Sequence, residues 1–456
     1  MEFTQTFEII VIGGGPAGYH FANLCGKKGV SIALFEERAL GGTCLNEGCI
    51  PTKSFLKSAK IVDSIKHSEE FGVAVDGYSV NQELVTQRKN AVVNKLVMGV
   101  RGGLRKNKVK LFFTRATILE KCGDFFAVES DGKFYGAKKL VIATGSKALV
   151  PPIKGVVKGL ESGFLVTSKE ILDLTEIPEN IVIIGAGVIG IEMASYFCSV
   201  GAKVTVVEGS NKICGNSDFE CSKILKDNLS ARGVEFLIDT FVNEIKEGSV
   251  IVNSEEQQEI RCDKVLLSVG RVANLDNLGL DNLGIEYTNK GIKVDDKMQT
   301  SVAGVYAIGD VNGKVMLAHT AYKEAEVCFN DINGEFDHID YDAIPSVVYS
   351  SPEFAFVGAS EESLASVSEK ITIKKLPMIY SGRFVTENSN SSGICKIIID
   401  NDSNCILGAM MVGDGASEVI LALSNLIALK IPVSKINKLI FPHPTIGEII
   451  KDTLNA

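Results

Sequence analysis

An internal repeat constrains this chain more than any other feature. An apolar run followed by G-x-G-x-x-G occurs twice, at residues 9–18 (IIVIGGGPAG) and 181–190 (IVIIGAGVIG). Gly185, Gly187 and Gly190 each follow Gly13, Gly15 and Gly18 by 172 residues. In both copies a helix-like segment and a second apolar run come next, at residues 31–35 and 203–207. Each run ends in a glutamate 23 residues after its first glycine, Glu36 and Glu208. The first glycine of such a unit makes the tight turn, the second lets backbone approach a pyrophosphate, the third packs helix on strand, and the acid accepts hydrogen bonds from ribose hydroxyls. One copy alone would be weak evidence. Two copies with matched acids predict an α/β protein with two Rossmann-like dinucleotide-binding domains.

The rest of the chain fits around this pair. Its 456 residues exceed one core, and 44 Gly against 11 Pro suits many tight strand-to-helix turns. Gly145 and the Pro151-Pro152 pair read as a boundary, which divides the chain into residues 1–149, a second unit over 150–268, a return to the first over 269–338, and a C-terminal α+β domain over 339–456. Helices are expected from Cys49 to about Lys66, over 82–106, near 318–330, and at 415–429 and 445–454. A long buried strand is expected through 300–310, ending at Asp310.

Charge and hydropathy narrow the partners. A net charge of -9 offers no positive field for phosphate backbones or anionic lipid, so no nucleic acid is expected. The most apolar stretch, 181–197, is broken by three glycines and Glu192 and is too short to span a bilayer, so no membrane is expected either. Glu2 stands where a signal peptide would carry basic residues, and the eleven cysteines are odd in number and scattered. The expected location is the cytoplasm.

Residues 41–53, GGTCLNEGCIPTK, set Cys44 and Cys49 just after the second strand of the first repeat and at the head of a helix. Zinc would need another ligand pair nearby, and none follows, so no metal is expected. A redox pair fits better, because a helix N-terminus favours the thiolate that attacks disulfides.

With these motifs, and with residues 143–145 (ATG), Gly309-Asp310, residues 317–319 (LAH) and residues 443–448 (HPTIGE), the whole chain resembles the pyridine nucleotide–disulfide oxidoreductases, within them the branch that oxidises dihydrolipoamide. The resemblance implies FAD on the first repeat and a nicotinamide dinucleotide on the second. It also implies a homodimer formed through the C-terminal domain. It makes Cys44 the thiol that exchanges with substrate and Cys49 the thiol against the flavin. It sets Lys53 near the reactive flavin nitrogen, paired with Glu192. A buried Glu192 without a cation would cost several kcal/mol, which makes Lys53 its expected partner. The resemblance implies flavin contacts at Gly13, Gly15, Gly18, Glu36, Thr43, Ala116, Thr144, Gly145, Asp310 and Ala318, and nicotinamide-dinucleotide contacts at Gly185, Gly187, Gly190, Glu208 and Gly270. His443 and Glu448 match the family's acid/base pair, in which the histidine reaches the disulfide of the other subunit. A histidine titrating near neutrality can take a thiol proton, and a carboxylate can fix its tautomer.

Glu208 would repel a 2′-phosphate, and residues 209–213 offer one lysine and no arginine, which predicts NAD over NADP. The expected reaction oxidises dihydrolipoamide, on a lipoyl carrier protein of a 2-oxo acid dehydrogenase, acetoin or glycine cleavage complex, and reduces NAD⁺. The alternatives are an NAD(P)H-driven reductase of a small disulfide such as glutathione disulfide, and a non-catalytic FAD-binding subunit. Two positions depart from the common pattern. Glu47 stands in the loop between the cysteines where a small apolar residue is usual, and its charge is expected either to raise nearby thiol pKa values or to change how the loop meets a partner. Phe441 replaces a frequent second histidine.

Overall fold

The computed structural model describes every residue except 216, 254–256 and 389–391. The chain forms two units, one from residues 1–52, 87–149 and 270–339, the other from 53–86, 150–269 and 340–456.

The first unit is built on strand β1 (Gln5–Ile12), parallel to β2 (Ile32–Phe35) on one side and to Lys133–Ile142 on the other. Both faces of β1 are covered, which is why it reads as an unbroken apolar run. Ile9 and Val11 point into a core with Phe21 and Ala22 of helix α1 (Pro16–Lys27) and Ala325 and Cys328 of the helix Ala318–Ile332. Ile10 and Ile12, one residue out of phase, point into a second core with Phe35, Phe126 and Val128. The strand expected through 300–310 is shorter, Val305–Ala307, because Gly304 turns the chain at φ +85° just before it.

Between Cys44 and Cys49 the chain is helical rather than looped. Helix α2 (Gly42–Glu47) carries Cys44, Gly48 interrupts, and Cys49 opens helix α3 (Cys49–Lys66). Gly41 enters α2 with φ +97°, and Asn46 Nδ2 donates to the Leu40 and Gly42 carbonyls at 3.0 and 2.9 Å.

The second unit centres on β3 (Asn180–Ile184), flanked in parallel by β4 (Lys203–Val207) and Lys264–Leu267. Helix α4 (Val188–Ser199) follows β3, and its Met193, Tyr196 and Phe197 share one core with Phe55 and Ala59 of α3. The same core takes in Phe354 and Met410 of the C-terminal five-stranded antiparallel sheet. The helix Ala416–Ala428 packs on that sheet, and the last expected helix is a turn, Ile446–Glu448, running into Ile449–Asn455.

Candidate active site

The two glycine fingerprints have the same geometry. Gly13 and Gly185 take φ +107° and +99°, and a Cβ on either would strike a carbonyl oxygen, Ala143 O at 2.3 Å or Ser268 O at 2.6 Å. A Cβ on Gly18 or Gly190 would strike the first glycine's own carbonyl at 1.9 or 2.0 Å. The middle glycines differ from both. A Cβ on Gly15 would meet only Gly42 Cα, at 3.8 Å, and one on Gly187 would meet nothing within 4 Å. Protein packing therefore accounts for the outer glycines but not for Gly15 and Gly187, whose bare backbone leaves room for a ligand to approach.

The acids are duplicated as well. Glu36 Oε2 accepts from the Gly14 N–H and Oε1 from the Arg38 N–H, both at 2.7 Å. Glu208 Oε2 accepts from the Ala186 N–H at 2.7 Å and Oε1 from the Ser210 N–H at 2.8 Å and the Ser210 hydroxyl at 2.7 Å. Each carboxylate is thus fixed at the strand end with lone pairs left for ribose hydroxyls. These cradles fit two dinucleotides.

In the first unit, Asp310 accepts from the Ser146 hydroxyl at 2.5 Å, and Arg271 Nε and Nη2 donate to the Ser146 hydroxyl and carbonyl at 2.8 Å each. Burial pulls the Arg271 guanidinium below its usual range, against the opposing pull of Asp310 and Cys49. Thr144 donates to the Asn274 carbonyl at 2.9 Å, Gly145 has φ +71°, Ala116 is buried, Ala318 heads its helix, and Thr43 sits on α2 beside Cys44. Gly270, at φ +119°, belongs to the first unit, whereas Gly185, Gly187, Gly190 and Glu208 belong to the second. The Tyr19 and Tyr322 hydroxyls pair with each other. Burial, their mutual bond and the negative field of Cys44 and Cys49 push the Tyr19 phenol far above its usual range.

In the second unit, Lys53, one turn past Cys49 on α3, meets both oxygens of Glu192 at 2.9 and 3.0 Å. Glu192 is 4% exposed and also accepts from the Tyr349 N–H at 3.0 Å, while the Lys53 ammonium lies 4.3 Å from the Tyr349 ring centroid. The pairing expected for a carboxylate in an apolar helix is present, and Tyr349 is a third member that no sequence motif announced. His443 Nδ1 lies 3.0 and 3.2 Å from the two oxygens of Glu448. Its imidazole is 78% exposed with the carboxylate behind it. Phe441 packs partly buried against the C-terminal core.

A family model described as pyridine nucleotide-disulphide oxidoreductase matches residues 7–325, and its dimerisation-domain counterpart matches residues 344–454. The chain belongs to this family. Within it, the dihydrolipoyl dehydrogenase of Chlamydia muridarum is 36% identical over 447 residues, covering 98% of this chain and 95% of its own. The dihydrolipoyl dehydrogenase of Bacillus subtilis strain 168 is 34% identical over 469 residues, covering 99% and 98%. Among solved structures, the Cu(II) complex of the HOCl-induced flavoprotein disulfide reductase RclA from Escherichia coli superposes with a TM-score of 0.88 at 26% identity, covering 100% and 99%. Among the described residues no helix is long and apolar enough to cross a membrane.

Proposed function

We propose that this chain is a dihydrolipoyl dehydrogenase, which oxidises dihydrolipoamide to lipoamide and reduces NAD⁺ to NADH. The observation that carries this reading is the match to dihydrolipoyl dehydrogenases over 98% of the chain at 33–36% identity. Bound FAD supplies the two-electron relay between dithiol and NAD⁺. Substrate thiolate attacks Cys44 of an oxidised Cys44–Cys49 pair and Cys49 leaves as thiolate, favoured by its place at the start of an 18-residue helix. The second substrate thiol then closes the lipoyl disulfide and releases Cys44. His443 takes up the substrate proton, and Glu448 holds its Nδ1 so that Nε2 faces the thiol. Lys53, held by Glu192, keeps a positive charge one turn beyond Cys49.

Residues 1–149 and 269–338 hold FAD through Gly13, Gly15, Gly18, Glu36, Thr43, Ala116, Thr144, Gly145, Asp310 and Ala318. Residues 150–268 hold NAD through Gly185, Gly187, Gly190 and Glu208, with Gly270 adjoining. Residues 339–456 form a homodimer in which His443 serves the partner's cysteines. The partner substrate is a lipoyl group on a 2-oxo acid dehydrogenase complex or on an acetoin or glycine cleavage system. The proposed location is the cytoplasm, on the odd number and scattered placement of the eleven cysteines in the sequence.

The test is anaerobic. Dihydrolipoamide should bleach the flavin, raise a long-wavelength thiolate–flavin band and yield NADH from NAD⁺, whereas glutathione disulfide with NADPH should turn over poorly. Turnover of the glutathione pair alone would reject both the substrate and the reading of Glu208.

A further inference from the structure

Glu47 is the residue by which this chain departs from the usual pattern between its two cysteines, and the structure gives it a partner. On α2, Cys44 and Glu47 are three residues apart and share one face, which brings their Cβ atoms to about 5–6 Å. The Glu47 side chain is only 18% exposed. A carboxylate so placed, with nothing to offset it, would raise the pKa of a neighbouring thiol and leave less thiolate at neutral pH. The Arg38 guanidinium pairs with Glu47. The same Arg38 donates its backbone N–H to Glu36 Oε1, and the other oxygen of Glu36 takes the Gly14 N–H. One residue therefore joins the acid after β2 to the helix that carries Cys44.

We propose that Arg38 is a positioning and charge-compensating residue of the redox pair. It neutralises Glu47 beside Cys44 and ties the redox helix to the ribose-binding acid of the first dinucleotide cradle. The two residues work as a set: the arginine is needed because the glutamate is there. The proposal rests on the reading of Cys44 and Cys49 as the redox pair, but not on the identity of the substrate dithiol. Among the other ionisable groups in the electrostatic field of these thiols on the same unit are Tyr19 and Tyr322, which feel both, and Arg271, which feels Cys49.

The experiment is a double-substitution cycle on the holoenzyme, Arg38→Gln, Glu47→Val and both together. The two-electron-reduced form is generated with NADH, and two quantities are read at neutral pH: the thiolate–flavin absorbance and the rate at which iodoacetamide alkylates Cys44. Arg38→Gln should slow alkylation about three- to tenfold and weaken the band, because the carboxylate beside the thiol then lacks the arginine's positive charge. Glu47→Val and the double variant should both stay within about twofold of the parent, since the arginine loses its purpose with its partner. The proposal fails if Arg38→Gln behaves as the parent, or if the double variant is as slow as Arg38→Gln. A parent enzyme with no thiolate–flavin band would overturn the redox-pair reading and this proposal with it.

Discussion

Glu192 meets the Lys53 ammonium with both carboxylate oxygens from inside helix α4, where it has almost no water to fall back on. Removing the cation strands a buried charge, a change worth about 3–5 kcal/mol when both partners are fully covered. Lys53 is about a third exposed and the Tyr349 N–H remains, so Lys53→Met should cost about 2–3 kcal/mol in urea unfolding. Lys53→Met combined with Glu192→Leu should recover most of that loss. A single variant as stable as the parent would show that water reaches Glu192.

The middle and outer glycines of the second fingerprint should separate binding from folding. Gly187→Ala adds a methyl that meets no protein atom, so thermal stability should hold while the KM for NAD⁺ rises at least tenfold. Gly185→Ala puts a Cβ 2.6 Å from the Ser268 oxygen at φ +99° and should lower yield and melting temperature before any kinetic effect is read. Equal melting temperatures for the two would contradict the assignment.

His443 and Glu448 should matter to one half of the reaction only. His443→Gln should slow flavin reduction by dihydrolipoamide by about 10²–10⁴-fold and leave flavin reduction by NADH nearly unchanged. Glu448→Gln should give a smaller loss in the same half, because the imidazole keeps its place but loses the carboxylate behind it. Stopped-flow traces of both half-reactions decide this.

Away from the site, Lys396 is 1% exposed and bonds Asp218 Oδ2 at 2.8 Å, with Glu220 at 3.1 Å and Glu361 at 2.5 Å. Burial alone would raise the Asp218 carboxyl; the Lys396 hydrogen bond and the Cys221 N–H outweigh it and hold the carboxyl below its usual range. A depressed carboxyl stabilises the fold above its unfolded pKa, near 3.9. That stability drains away as pH falls through the lower folded value. Lys396→Met should therefore destabilise the protein by about 3–5 kcal/mol at pH 7, and by much less at pH 3. A constant difference across that range would show that Asp218 is not the group involved.

Much of the site could be read from the sequence, because spacing encodes it. The repeat of Gly13, Gly15, Gly18 and Glu36 as Gly185, Gly187, Gly190 and Glu208 survives in three dimensions down to the backbone N–H groups that hold each acid. Lys53 and Glu192 could be matched because the family resemblance pairs them and a carboxylate inside an apolar helix requires a cation. What spacing does not encode stayed hidden. The segment between the cysteines reads as a loop, yet a left-handed turn at Gly41 and the Asn46 side chain fold residues 42–47 into a helix. Tyr349, Arg271 and the Arg38–Glu47 pair sit far from their partners in the chain or carry no motif, so only packing could reveal them. Glu47, expected to disturb the thiols, has its charge met by a residue nine positions earlier.

The open face of His443 has one more consequence. Its imidazole stands in solvent with its carboxylate behind it, and on the proposed reading it serves thiols that belong to another copy of the chain. Damage then sorts by site rather than by polypeptide. A chain lacking Cys44 and a chain lacking His443 are each inert alone, but when they pair, one of the two sites receives both intact parts and the other inherits both defects. Two alleles that fail separately would complement each other within a single cell.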